Sequence, residues 1–196
     1  MIIVDVETTG TDPHAHSLLS IGAIDFDNPD RRFFEECRIF DGAKIETEAT
    51  AINGIDETKA KNPSKQTDKE LLERFFKWLS ESKDHTIAGQ NPHFDTSFLE
   101  ATARRYHLNF SIPKRIIDLH TSTWMHLLLS HKEIPIVHNR SDINSDFIMQ
   151  YVGMTPEPHP HIAINGALYE AEAFSRLFKN KSLLPEFSHH KIPWLN

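Results

Sequence analysis

The chain has 196 residues, 39% hydrophobic and 10% aromatic, which fits one globular domain with a sizeable core and excludes a disordered or fibrous chain. Its formal net charge of −7 excludes a strongly basic duplex binder; any nucleic-acid partner must be gripped locally, with the acids gathered where cations neutralise them. The single cysteine, Cys37, excludes an intrachain disulfide and a thiolate metal cluster.

No apolar run reaches the roughly 18 residues needed to cross a bilayer, and a strand-like segment begins at Ile2, so no membrane contact and no cleaved leader are expected. A cytoplasmic location follows as the expectation. The 13 histidines make the charge sensitive to pH.

The first segment, Ile2-Ile3-Val4-Asp5-Val6-Glu7, is short, β-branched and apolar on both faces at its start, as a central strand of a covered sheet should be. The period of two sends Asp5 and Glu7 to the same face at the strand's carboxyl end. There they form a pair of hard oxygen donors suited to Mg²⁺ or Mn²⁺, and close carboxylates do not both stay ionised cheaply without a cation. A strand end emerging into water would explain an isolated Asp-X-Glu equally well.

Leu18 to Phe26 and Arg32 to Phe40 read as a hairpin across the turn-rich Asp27-Asn28-Pro29-Asp30. From Thr67, the spacing of Leu71, Leu72, Phe75, Phe76 and Leu79 predicts a helix to about Ser82, capped by Thr67 or Asp68. Thr86 to Gly89 reads as a short buried strand. Pro92 then opens a helix with Phe94, Phe98, Leu99 and Ala103 on one stripe.

Arg115 to Asp118 reads as a further strand, and a helix runs through Trp124 and Leu128. Ser130 to Ser141 lacks periodicity and reads as an exposed loop beside the site. Helices are expected near Asp142 to Val152 and from about Ile164 to Phe178. The tail, 181–196, should pack back on the domain or on a partner through Phe187, Ile192 and Trp194. This order implies a mixed sheet with helices on both faces.

Val4-Asp5-Val6-Glu7-Thr8-Thr9-Gly10-Thr11-Asp12-Pro13 resembles the first motif of the DEDDh 3′–5′ exonuclease family, of the ribonuclease T and DNA polymerase III epsilon type. Ile52-Asn53-Gly54-Ile55 resembles that family's short helical signature. Asn91-Pro92-His93-Phe94-Asp95, with Phe98-Leu99, resembles its second motif. The resemblance implies a ribonuclease-H-like fold over about 1–180, with a five-stranded mixed sheet whose first three strands are antiparallel, all within one domain of 1–196.

The resemblance also implies that Asp5, Glu7 and Asp95 hold metal, and that Thr8, Thr9 and Gly10 hold the terminal nucleotide. Asn91 belongs to the same substrate-binding set. Taken alone, Asp95 would be explained by its place in the first turn of a helix, where its charge favours the dipole. Phe94 and Phe98 are candidates to stack on the last bases, although their four-residue spacing turns at least one inward.

The third motif departs from the pattern. His161-Ile162-Ala163-Ile164-Asn165-Gly166-Ala167 resembles the family's His-X-Ala-X-X-Asp-Ala, with Gly166 where the fourth Asp belongs. Glu170 stands one helical turn further on, on the same face and one methylene longer, and can reach the same ion. A second register places Asn165 at the histidine and Glu170 at the acid. Both registers select Glu170; they differ on the base, where His161 is preferred because imidazole titrates near neutrality, with His159 as the fallback.

Asp118 fits a helix entrance better than a metal site. Arg104, Arg105, Lys114 and Arg115 are either phosphate contacts or a solvated face. The combined expectation is a 3′–5′ exonuclease using two Mg²⁺ or Mn²⁺ ions on the 3′ end of single-stranded DNA or RNA. It would release nucleoside 5′-monophosphates. The alternative is a catalytically weakened protein that binds 3′ ends. Neither the choice between DNA and RNA nor the oligomeric state is written in the residues.

Overall fold

The computed structural model describes residues 1–195. Its five-stranded sheet has the order β3-β2-β1-β4-β5, built from β1 (Ile2–Thr8), β2 (Leu18–Asp25), β3 (Asn28–Glu36), β4 (Ile87–Gly89) and β5 (Ile116–Asp118). β1 pairs antiparallel with β2 and β2 with β3, while β4 lies parallel to β1 and β5 parallel to β4. This is the expected mixed sheet.

The helices are α1 (Thr47–Asn53), α2 (Glu57–Ala60), α3 (Asp68–Ser80), α4 (Pro92–Arg105), α5 (Leu119–Leu129), α6 (Ser145–Tyr151) and α7 (Ala163–Lys179). α3 begins at a capping box, in which Thr67 Oγ1 accepts from the Glu70 N–H and the Glu70 carboxylate accepts from the Thr67 N–H. α1 ends at Gly54, whose φ of 67° is the left-handed closing residue.

Alternation along β1 divides the core. Ile2, Val4 and Val6 pack with residues of α3 and α4, among them Leu72, Phe75, Phe98 and Leu99. Ile3 packs on the opposite face with residues of α5, α6 and α7, among them Leu127, Met149, Ala171 and Phe174. Asp5 and Glu7 share the parity of Ile3 and so belong to the α7 face. α7 crosses directly over β1 and β2. That crossing requires a glycine at position 22, since a Cβ there would run into the backbone of Ala163 and Ile164.

Two boundaries differ from the sequence reading. β3 starts at Asn28 and ends at Glu36, so Pro29 lies inside a strand; β3 is an edge strand, where a residue without an N–H is tolerated. The segment expected as a loop contains a small hairpin, β6 (Ile136–Val137) and β7 (Arg140–Ser141). Its turn is made by His138 and Asn139, both at positive φ. This is the left-handed pair a two-residue hairpin turn needs, here without the glycine that usually signals it.

The tail packs as expected. Arg176 and Glu172, both fully buried on α7, pair at 2.7 Å; Arg176 also donates to the carbonyls of Val152 and Phe187, and Glu172 accepts from the N–H groups of Leu183 and Leu184. Trp194 Nε1 donates to Asn180 Oδ1 at 2.7 Å. No helix among the described residues is long and apolar enough to cross a membrane.

Candidate active site

β1 outruns β4, which pairs with it only at Ile2 and Ile3. Beyond that point Val6 has no strand neighbour on the β4 side, and its N–H donates instead to Asp95 Oδ1 at 2.9 Å. Asp95 is buried in the first turn of α4. The backbone that delivers it turns sharply at Asn91, which adopts the left-handed conformation (φ 54°) and donates its N–H to Asp118 Oδ1 at 3.2 Å. Asp118 also accepts from the His120 N–H at 3.0 Å, which makes it the cap of α5 as the sequence suggested. The β1–β2 ladder shifts register between Glu7 and Thr8, a local irregularity that re-aims the strand end beside the acids.

α7 supplies the fourth acid. A Cβ at Gly166 would sit 2.7 Å from Asp5 Cγ, so a side chain at this position would have to push the Asp5 carboxylate aside. Glu170, one turn later, is only 7% exposed, and its Oε2 has no hydrogen-bond partner. Position 89 is also a glycine; a Cβ there would come within 3.2 Å of that same oxygen.

The acids hold one another's protons on. Burial raises Asp5 to about 7, reinforced by the charge of Glu157. Burial, then Asp5, then Glu157 raise Glu7 to about 8, opposed by a hydrogen bond from the Asn53 side chain. Asp95 is raised by burial and by Asp5, and Glu170 by burial, Asp5 and Asp95. Three distant stretches of chain thus converge electrostatically at one end of the sheet.

These carboxylates fit divalent cations. They are hard oxygen donors, they repel one another, and one buried oxygen among them lacks any partner. Among the described residues no three His, Cys, Asp or Glu side chains already form a ligand cage. Like charges resist such convergence, and Asp95 Oδ1 is engaged by Val6.

A cavity of about 240 Å³ opens next to Glu7, lined by Thr8, Gly10, Ile52, Asn53 and Phe94. Asn53 Nδ2 donates to the Thr8 carbonyl at 3.1 Å, which ties the end of α1 to the end of β1. Residues 2–174 match the model of the exonuclease family named for RNase T. The chain belongs to this exonuclease family.

Ribonuclease T of Yersinia enterocolitica is 32% identical over 119 residues, which cover 53% of this chain and 54% of the relative; the chain spans about half the length of the curated relatives it matches. The nuclease domain of 3′hExo, a DEDDh family member solved bound to rAMP, superposes with a TM-score of 0.71 at 16% identity, covering 93% of both chains. Escherichia coli exonuclease I, solved with a dA16 oligonucleotide, gives a TM-score of 0.69 at 18% identity, over 91% of this chain and 40% of that one. The ribonuclease-H-like exonuclease fold is therefore shown.

Within this exonuclease-family fold, some expected substrate residues take other positions. Thr8, Gly10 and Phe94 line the cavity. Thr9 is fully buried and donates its hydroxyl to the Lys44 carbonyl at 2.7 Å, so its side chain serves the fold. Phe98 is 1% exposed in the α3–α4 core and unavailable for stacking on a base; it is the inward member of the Phe94–Phe98 pair, whose rings lie 5.0 Å apart. Arg105 is committed to the buried Asp68 at 3.0 Å and stacks over Phe40, while Arg104 pairs with Glu100.

His161 lies on the loop before α7, half-buried, with its ring 4.6 Å from that of His159. Burial and His159 lower its pKa, and Asp146 opposes them. The groups that act on His161 thus lie on the loop and α6, apart from the carboxylates of β1, α4 and α7. Sequence reasoning missed Glu157, whose own pKa burial raises to about 7. It lies outside every motif, and no spacing pattern signals it.

Proposed function

We propose that the protein is a metal-dependent 3′–5′ exonuclease that removes nucleoside 5′-monophosphates from the 3′ end of single-stranded nucleic acid. The observation that carries this reading is the meeting of Asp5 with Gly166 and Glu170: the helix offers no Cβ where the strand acid stands and brings a secluded carboxylate one turn later. The relatives and structural neighbours are nucleases of this fold, and those solved with rAMP or a single strand support the substrate class.

Asp5, Glu7, Asp95 and Glu170 would hold two Mg²⁺ or Mn²⁺ ions, which when bound polarise the phosphate and offset the charge that builds up during in-line displacement. The chain's own groups do the rest. The cavity beside Glu7 is sized for part of a nucleotide, and Phe94 on its wall offers a face for the terminal base. His161, the proposed base, has a lowered pKa that keeps the imidazole neutral and able to take a proton near pH 7. A net charge of −7 favours a local grip on one strand end over a long electrostatic footprint.

We read 1–196 as one domain working in the cytoplasm. The test is to incubate the protein with Mn²⁺ and matched 5′-labelled DNA and RNA strands. Stepwise shortening that Asp5→Ala abolishes supports the reading, and the faster strand identifies the natural class. Equal shortening by Asp5→Ala, or binding of strands with no shortening, removes it.

A further inference from the structure

Two adjoining faces of α7 meet different surroundings. Gly166 abuts Asp5, and Glu170 reaches Gly89. Asn165 and Tyr169, each one position earlier and one turn apart, instead line a second cavity of about 450 Å³, closed on its far side by the tail. Its size lies within the range of small-ligand sites, about 300–1,000 Å³.

The far wall is the short 3₁₀ turn Pro185–Phe187 with His189 and His190 beyond it. The buried pair on α7 holds that wall in place: Arg176 donates to the Phe187 carbonyl at 2.9 Å, and Glu172 accepts from the N–H groups of Leu183 and Leu184. The His190 N–H closes the turn onto the Phe187 carbonyl at 3.0 Å. Rings dominate the walls. Tyr169 meets Phe187 edge-on at 4.8 Å, and the His189 and His190 rings lie 4.0 Å apart. Tyr169 and His190 are half-buried, and His189 is exposed.

Charge separates this cavity from the one beside Glu7, which Glu46 and Glu48 border. The acid on the wall of the second cavity, Glu186, is already held by Arg32 at 3.0 Å, so a phosphodiester meets no free carboxylate among its described lining residues.

We propose that this cavity is a second base site, which takes a nucleobase of the single strand upstream of the 3′ end. The base stacks on the rings of Tyr169, His189 and His190, with its polar edge toward the Asn165 amide. The inference rests on the reading of the chain as a 3′–5′ exonuclease. A strand that ends at the acids reaches the cavity by crossing one helix, about 10 Å in diameter. Stacking there grips the strand without the long basic footprint that a net charge of −7 excludes.

Steady-state shortening in Mn²⁺ of an octanucleotide and a dinucleotide of one base, in whichever sugar form the protein cuts faster, tests the assignment. For the wild type the octanucleotide KM should be the lower by on the order of tenfold. The double substitution His189→Ala, His190→Ala should remove most of that advantage by raising the octanucleotide KM, with a smaller change in kcat. His190→Phe, which keeps a ring, should retain it. His189→Ala alone, at an exposed position that leaves the Phe187–His190 packing in place, should shift the same KM in the same direction. An unchanged octanucleotide KM in both alanine variants, or a wild type with no length advantage, overturns the proposal. A wild type that shortens neither strand would instead remove the nuclease reading on which it rests.

Discussion

Gly166 faces Asp5 across the crossing of α7 over β1, with space between them for no more than a hydrogen atom: an added Cβ would fall 2.7 Å from Asp5 Cγ and 3.3 Å from its Cβ. Read from His161, the third-motif resemblance would place an acid where helix and strand approach this closely; in either register the carboxylate that α7 offers is Glu170, one turn along.

Gly166→Ala tests this contact. On helix propensity alone it should stabilise α7 by about 1 kcal/mol. The clash should instead displace Asp5, and a displacement of about 1 Å in a positioned group costs on the order of 100-fold in turnover. Wild-type rates of strand shortening by Gly166→Ala would show that the helix yields and that Asp5 is not held by this packing.

Stability without metal should fall as pH rises. Asp5, Glu7 and Glu157 have folded values near 7, 8 and 7 against ordinary values of 3.8, 4.5 and 4.5, so the folded chain holds more protons than the unfolded one throughout that window. Stability from these groups is complete at low pH and lost as pH rises through their folded values. His126, His161 and His190, all lowered from 6.5, act in the opposite sense up to that pH, so the fall should be cleanest between about pH 6.5 and 8. Melting temperatures in EDTA should drop over that range, and Mn²⁺ should raise them more at pH 8 than at pH 6. A flat profile would remove the electrostatic account of the site.

Arg176→Ala should unfold the tail before it touches the chemistry. The guanidinium is fully buried and satisfies Glu172 and the carbonyls of Val152 and Phe187, so its loss leaves an unpaired buried carboxylate, roughly 3–5 kcal/mol of destabilisation. For a chain of this length that corresponds to a drop on the order of 10 °C. Calorimetry checks it; a change of less than about 1 kcal/mol would mean that the network relaxes or hydrates.

The two loop histidines should separate in kinetics. His161→Ala should lower turnover far more than His159→Ala, because the role of base is assigned to the half-buried imidazole on the loop that the His161 N–H anchors to the Ile52 carbonyl. The reverse order in steady-state rates would transfer that role to His159.

Phe94→Ala should raise KM several-fold with a smaller effect on kcat, since the ring lines the cavity and carries no group that could take part in the chemistry. Base stacking is worth about 1–3 kcal/mol per base. An unchanged KM would return Phe94 to the core beside Phe98.

The residues themselves determined the frame. An apolar β-branched strand carrying Asp5 and Glu7 at a spacing of two, the helix-opening Pro92 ahead of Asp95, and the helical stripe through Glu170 are local patterns, and local periodicity dictates which face each side chain takes. The mixed sheet with helices on both faces was legible on that basis and its five-stranded order came with the family resemblance, while the strand period put Asp5 and Glu7 on one face.

Only the tertiary structure decided the rest, because distances between stretches far apart in sequence depend on how elements pack. It showed Phe98 and Thr9 to be interior supports, bound Arg105 to Asp68, turned a hairpin at His138-Asn139, and set position 166 against the Asp5 side chain. It also buried one carboxylate oxygen of Glu157, on a loop with no periodicity to announce it. Contacts of that kind arise from the closeness of a helix, a loop and a strand end, and no spacing along one chain segment encodes them.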